Sequence, residues 1–211
     1  MVTVEIWSDL VCPFCYIGKR NFETALSRFA KTDDVKIIWK SFELDPDAKH
    51  KPGVSIHEML ADKYGQSVEW AKKTTAQVTA TAEEAGLKFY IDRTAPTNTF
   101  DAHRLVHLAA KHGLQDKAEE RLFSAYFTEG KQIGDKGVLT ELAVEIGIPP
   151  DETIRLLNGD SYSKEVRHDE DEGRKLGINA VPCFVIDRKF MVRGAQPPEV
   201  FLGALDTATK K

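Results

Sequence analysis

Two cysteines with two residues between them, Cys12-Pro13-Phe14-Cys15, carry the most specific chemistry in the chain. The run Val2-Thr3-Val4-Glu5-Ile6-Trp7 before them alternates as a strand does, and a helical pattern follows. If a helix begins at the first cysteine, residues three apart lie nearly on one face and their sulfurs can bond. The first thiol then also meets the positive end of the helix and its unpaired N–H groups, which stabilise a thiolate. Pro13 suits the first turn, where its missing N–H would have had no partner. The spacing therefore points to thiol–disulfide exchange. The plainer reading is a pair of buried cysteines at a helix start.

Composition narrows the setting. A chain of 211 residues, 42% hydrophobic, can bury a substantial core as one elaborated domain or two packed ones. Three cysteines are too few for a disulfide-stapled secreted fold. Zinc would need two further ligands, yet only Cys183 and scattered histidines remain, so no metal is expected. His103 and His107, spaced to share a helix face, have no third ligand in the pattern. The net charge of -4, from 29 basic and 33 acidic residues, gives no reason to expect nucleic acid as a partner. No apolar run approaches the roughly 18 residues needed to span a bilayer, so no membrane partner is expected. Met1 leads straight into the first strand without a basic segment or an apolar leader, the pattern of a chain that stays in the cytoplasm.

The elements that must position the dithiol follow in order. Ile17, Phe22, Ala25, Leu26 and Phe29 mark one side of a helix ending near Ala30, and residues 35–42 read as a second strand. Strand, redox helix and strand form a βαβ unit with parallel strands. The loop from Glu43 to Ser55 contains Pro46, Pro52 and Gly53, and from there to about Tyr162 only helical patterns occur. Their starts and stops include a capping box at Ser55 and Gly86, Gly113 and Gly147 beyond helix ends. A charged helix over residues 163–176 follows, then a hairpin of residues 183–186 and 190–193, then a helix opened by Pro197-Pro198-Glu199. The fold class is therefore α/β: βαβ, a helical block, then αββα. Residues 1–44 and 163–211 form a discontinuous thioredoxin-like domain around an inserted helical domain, 45–162.

On these residues the chain resembles the DsbA-like thioredoxin-fold proteins, and among them the FrnE-like branch of dithiol–disulfide oxidoreductases and isomerases. The resemblance is carried by residues 8–19 around Cys12-Pro13-Phe14-Cys15, by residues 98–105, by Ala125-Tyr126-Phe127-Thr128-Glu129-Gly130, and by residues 177–182 continuing to 194–199. It implies that Cys12 is the exposed nucleophile and Cys15 the buried resolving thiol. It also implies that Val181-Pro182 is a cis-proline loop facing the dithiol and receiving an extended substrate, with Pro13 and Phe14 beside it. The helical insertion would cap the core and shape the groove above the dithiol. Substrates would be proteins or small molecules with thiols or disulfides, with a thiol reductant or oxidant for recycling and no bound cofactor. The chain departs from the pattern at Cys183, where relatives often carry an aromatic residue. Neighbouring glutathione-dependent transferases and hydroxychromene-carboxylate isomerases usually carry Ser at the first CxxC position and a glutathione-holding polar-Asp pair where this chain has Gly194-Ala195-Gln196. Both features favour dithiol exchange over a glutathione-dependent transferase or 2-hydroxychromene-2-carboxylate isomerase; a binding protein with an apolar groove is a third reading, which turnover would separate. Phe14 offers no charge or hydrogen bond to the thiolate, so the couple is expected to be less oxidising than DsbA, whose potential is about -120 mV.

Other residues have structural readings. Adjacent strand residues face opposite sides, so Cys183 is expected to be a small core residue rather than a third redox thiol. Asn98 is expected to cap its helix, with a groove contact as the alternative; Asp9 serves a loop or capping role or influences proton transfer near Cys15; and Asp169-Glu170-Asp171-Glu172 is expected to form a solvated helix face. Trp7, Trp39 and Phe29 are assigned to the core.

Overall fold

The computed structural model describes residues 1–49 and 53–210. Pro52, assigned to the connecting loop from sequence, lies outside the described residues. The elements in chain order are β1 (Val2–Ser8), α1 (Pro13–Arg28), β2 (Val35–Ser41), α2 (Ile56–Tyr64), α3 (Val68–Glu84), α4 (Phe100–Lys111) and α5 (Gln115–Phe127). They continue with α6 (Lys136–Ile146), α7 (Pro150–Asn158), α8 (Ser163–Lys175), β3 (Cys183–Ile186), β4 (Phe190–Arg193) and α9 (Pro198–Thr209). Two compact units result: Met1–Leu44 with Ser163–Lys211, and Asp45–Tyr162.

The first unit holds a four-stranded sheet in the order β2-β1-β3-β4. β1 runs parallel to β2 and antiparallel to β3, and β3 pairs antiparallel with β4. Strand alternation sorts the side chains into two cores. Val4, Ile6, Phe184 and Ile186 face one way, where Phe184 meets Phe22 of α1 and Phe201 of α9 with ring centroids 5.4 and 4.6 Å away. Trp7, Cys183 and Val185 face the other way and pack with Ile178. Each fully buried aliphatic or phenyl side chain contributes about 1.5–3 kcal/mol, so this two-sided burial is what holds the sheet between its helices. Trp39 and Phe29 are buried, as the sequence reading has them.

α8 closes the Trp7 side. The Trp7 indole donates to the Asp169 carbonyl at 2.8 Å, and a Cβ at Gly173 would stand 2.8 Å from the indole nitrogen. Only glycine lets the helix lie this close. The acidic run here corrects the expectation of a solvated face: Asp169 and Glu170 are buried. Asp169 accepts from Lys40 at 2.8 Å and from the Ser41 N–H at 3.1 Å, and Glu170 pairs with Arg167 at 2.8 Å. Asp171 behaves as expected, with a side chain 56% exposed. Buried carboxylates need partners, and these come from β2 and from the helix's own preceding turn.

The second unit contains helices and no strand among its described residues. Its core is built on Leu105, Leu122, Phe123, Ile133, Leu139 and Leu142. Ser55 forms the capping box with Glu58, both reciprocal hydrogen bonds being present. Asn98 sits one residue before the cap of α4, which is Thr99, and its Oδ1 accepts the Phe100 N–H at 2.9 Å. Arg104 is buried and fastens the end of this unit by donating to the Ser161 and Gly159 carbonyls at 2.8 and 2.7 Å.

Candidate active site

β1 delivers the chain into the site. Beyond Ser8 the Asp9 carbonyl accepts the Cys12 N–H at 3.0 Å, and the Asp9 carboxylate accepts the Leu44 N–H at 2.7 Å. This folds residues 9–12 into a turn that sets Cys12 at the N-cap of α1, with Pro13 in the first turn. No side chain caps this helix and no acidic residue lies in its first turn. The N–H groups at that end therefore have no competing anion beside the Cys12 sulfur.

Cys15 stands one turn on, its N–H donating to the Cys12 carbonyl at 3.0 Å. Burial pushes the Cys15 thiol well above the usual range, and the hydrogen bond and charge of Cys12 push it the same way. A main-chain hydrogen bond from Asp9 and the Ser8 hydroxyl oppose this shift. Cys15 is thus the thiol that holds its proton. All three cysteines are free thiols.

Across from the dithiol, the Val181–Pro182 peptide is cis, and the Cys12 thiol donates to the Val181 carbonyl at 3.7 Å. Gly18 of α1 explains how the loop comes so near. A Cβ there would lie 3.0 Å from Pro182 Cγ and 3.5 Å from the Ala195 Cα. The Pro182 carbonyl accepts the Gly194 N–H at 2.8 Å, which ties this loop to the segment after β4. Asn21 Nδ2 donates to the Gln196 carbonyl at 3.0 Å and anchors that segment to α1.

Cys12 is 5% exposed, which corrects the expectation of an exposed nucleophile. Its sulfur is covered where it meets the Val181 carbonyl. The exposed member of the motif is Phe14, at 45%. Cys183 lies on the Trp7 side of the sheet, opposite the face that carries α1, and burial pushes its thiol up to about 11. Asp9 takes the loop role expected for it through the Leu44 N–H. Among the described residues no cluster of three or more metal-ligating side chains occurs, and no helix is long and apolar enough to cross a membrane.

Three features were not read from sequence. Gly18 left no local signal, because what it meets is distant in the chain. Ser8 did leave one: it is a hydroxyl on the inward register of an apolar strand. Lys19, also buried, pairs with Glu23 and lies 6.0 Å from the Trp39 ring centroid; a lysine flanked by Gly and Arg reads as surface.

The family model for the DSBA-like thioredoxin domain matches residues 3–206. A probable DsbA oxidoreductase from Streptomyces coelicolor is 40% identical, with a TM-score of 0.93 over 99% of this chain and 90% of its own. The uncharacterized protein YwbO of Bacillus subtilis is 30% identical over 100% of this chain and 98% of its own length. The cytosolic disulfide reductase DsbM from Pseudomonas aeruginosa, whose structure contains glutathione, is 18% identical with a TM-score of 0.69, covering 99% of this chain and 100% of its own. At that identity it shares the fold.

Proposed function

The chain belongs to the DsbA-like thioredoxin-domain family, and from that premise we propose that it is a thiol–disulfide oxidoreductase working through Cys12 and Cys15. The observation that carries the reading is the asymmetry of the two thiols. Cys12 sits at an uncapped helix start against the Val181 carbonyl, while Cys15 behind it is held protonated by burial and by Cys12 itself. A pair ordered this way attacks with one sulfur and closes with the other.

In the reductive direction the Cys12 thiolate attacks one sulfur of a substrate disulfide. A Cys12–substrate bond forms, the substrate S–S bond breaks, and the departing sulfur leaves with the electron pair and takes a proton. Cys15 then loses its proton and attacks the Cys12 sulfur, forming the Cys12–Cys15 disulfide and releasing the second substrate thiol. The reverse sequence oxidises substrate thiols. Val181 and Pro182 receive the extended substrate opposite the dithiol, and Pro13 with the exposed Phe14 borders it. Substrates are proteins or small molecules carrying thiols or disulfides, and a thiol reductant or oxidant recycles the pair in the cytoplasm. This is the behaviour of the FrnE-like branch, with residues 1–44 and 163–211 as the redox domain and 45–162 as the inserted helical domain.

Turnover of a protein disulfide, followed with purified Cys12→Ser and Cys15→Ser variants, tests the proposal. Loss of exchange in Cys12→Ser, and a stable substrate adduct in Cys15→Ser, supports it. Activity that requires glutathione and survives Cys15→Ser would replace it with a glutathione-dependent transferase or isomerase.

A further inference from the structure

Ser8 is the last residue of β1, and nothing so far in the exchange cycle uses it. Its main chain is fixed on the β2 side: it pairs with Ser41 in the parallel register, and its carbonyl accepts the Phe42 N–H at 3.1 Å. Alternation along β1 puts its side chain on the face of Val4 and Ile6, the face that α1 covers through Phe22 and Phe184. The side chain is fully buried, at 0% exposure, and its hydroxyl makes no hydrogen bond of ordinary geometry. A buried hydroxyl without a partner is costly and uncommon, and such groups concentrate where function needs them. Buried Cys15 lies on the stripe of α1 that also carries Gly18 and Phe22, the side turned to Phe184 on this face, and the hydroxyl favours its ionised form.

The thiol state explains why the hydroxyl stands idle. A neutral Cys15 sulfur is a weak acceptor. The thiolate formed during resolution is a strong one, and a hydrogen bond to an ionised group is about twice as strong as a neutral one. Cys12 supplies the charge that bears on Cys15 until its sulfur is tied up in the mixed disulfide. The Asp9 main chain also favours the ionised Cys15, and the Asp9 carboxylate accepts the Leu44 N–H.

We propose that Ser8 is a positioning residue for the resolving step, its hydroxyl donating to Cys15 Sγ once the proton has left and holding that thiolate in line with Cys12 Sγ. The assignment rests on the thiol–disulfide reading above. In the step it serves, the Cys15–Cys12 bond forms and the Cys12–substrate bond breaks. Cys15 goes from thiol to disulfide, Cys12 stays at the disulfide level, the substrate sulfur is reduced to a thiol, and the proton lost by Cys15 passes through solvent to it.

The size of the effect follows from two opposing terms. Removing a hydrogen bond to the thiolate lowers the thiolate fraction at neutral pH about tenfold, a shift of about one pH unit. The more basic thiolate is about threefold more nucleophilic, with a Brønsted coefficient of about 0.4–0.5. The net result is resolution about three- to fourfold slower.

The test mixes the reduced full-length protein with excess of a small aromatic disulfide and resolves the two thiol releases in time. For Ser8→Ala the first release, by Cys12, keeps its rate, and the second, by Cys15, slows about three- to fourfold. Ser8→Thr, which keeps the hydroxyl, restores the second release. Folding stability of Ser8→Ala equals or exceeds that of the parent, because the hydroxyl lost had no partner. An unchanged second release, or equal slowing of both releases, overturns the assignment while leaving the exchange reading intact. Absence of the first release from the parent protein overturns both.

Discussion

At the scale of single residues, the three thiols do different work because their surroundings differ. Cys12 and Cys15 share a helix start, whereas Cys183 faces Trp7 and Val185 on the far side of the sheet. Its thiol, raised to about 11 from 9.0 by burial, makes the fold sensitive to alkali. The neutral thiol is the form the folded state prefers. That contribution is fully present below pH 9 and is lost as pH rises from about 9 to about 11, where the unfolded chain binds fewer protons. Cys183→Ala should cost about 1 kcal/mol at pH 7 through the lost sulfur volume, with exchange activity retained. The gap between the two proteins should close between pH 9 and pH 11 in denaturant titrations. A gap constant across that range would mean that Cys183 ionises without penalty.

At the scale of elements, the site depends on how closely α1 approaches the loop before β3. Gly18→Ala poses two effects against each other. Replacing a glycine inside a helix is worth about 0.5–1 kcal/mol in backbone entropy. The new Cβ, 3.0 Å from Pro182 Cγ and 3.5 Å from the Ala195 main chain, overpacks a site whose neighbours are backbone and a rigid ring. Overpacking of this kind costs about 1–3 kcal/mol, so the clash wins. The variant should lose about 1 kcal/mol of stability and exchange disulfides several-fold more slowly, read by chemical denaturation and by kcat/KM on the same samples. A variant more stable than the parent would show that the loop moves aside freely. The element scale is also where the sequence was easiest to read. Glycines beyond helix ends, Ser55 at its cap, and the alternation of residues 2–7 are local signals, and the elements they mark are present. The charge run of α8 was misread for the complementary reason. Asp169 and Glu170 look like any solvated acids until Lys40, Ser41 and Glu43 are brought beside them from β2 and the segment after it.

At the scale of the whole chain, Met1–Leu44 and Ser163–Lys211 share one sheet and its helices, while Asp45–Tyr162 carries a core of its own. The parallel pairing of β1 with β2, the antiparallel hairpin and the dithiol at a helix start were all legible, since each has a pattern within a few residues. The coverage of Cys12 and the reach of Gly18 were not, because each depends on segments more than a hundred residues apart. Read as an inserted domain, residues 45–162 should fold alone. A fragment of that span is expected to give the circular dichroism of the α-helices among its described residues and a single cooperative urea transition. A non-cooperative, sloping transition would mean that this span needs the rest of the chain.

The central claim is that Cys12 attacks and Cys15 resolves. The most direct measurement expresses the Cys15→Ser variant in cells, traps thiols with acid, and identifies by mass spectrometry what remains joined to Cys12. Covalent partners linked through Cys12, released by reductant and missing from a Cys12→Ser, Cys15→Ser control, are expected. Recovery of nothing above that control, from a folded variant, would contradict the claim.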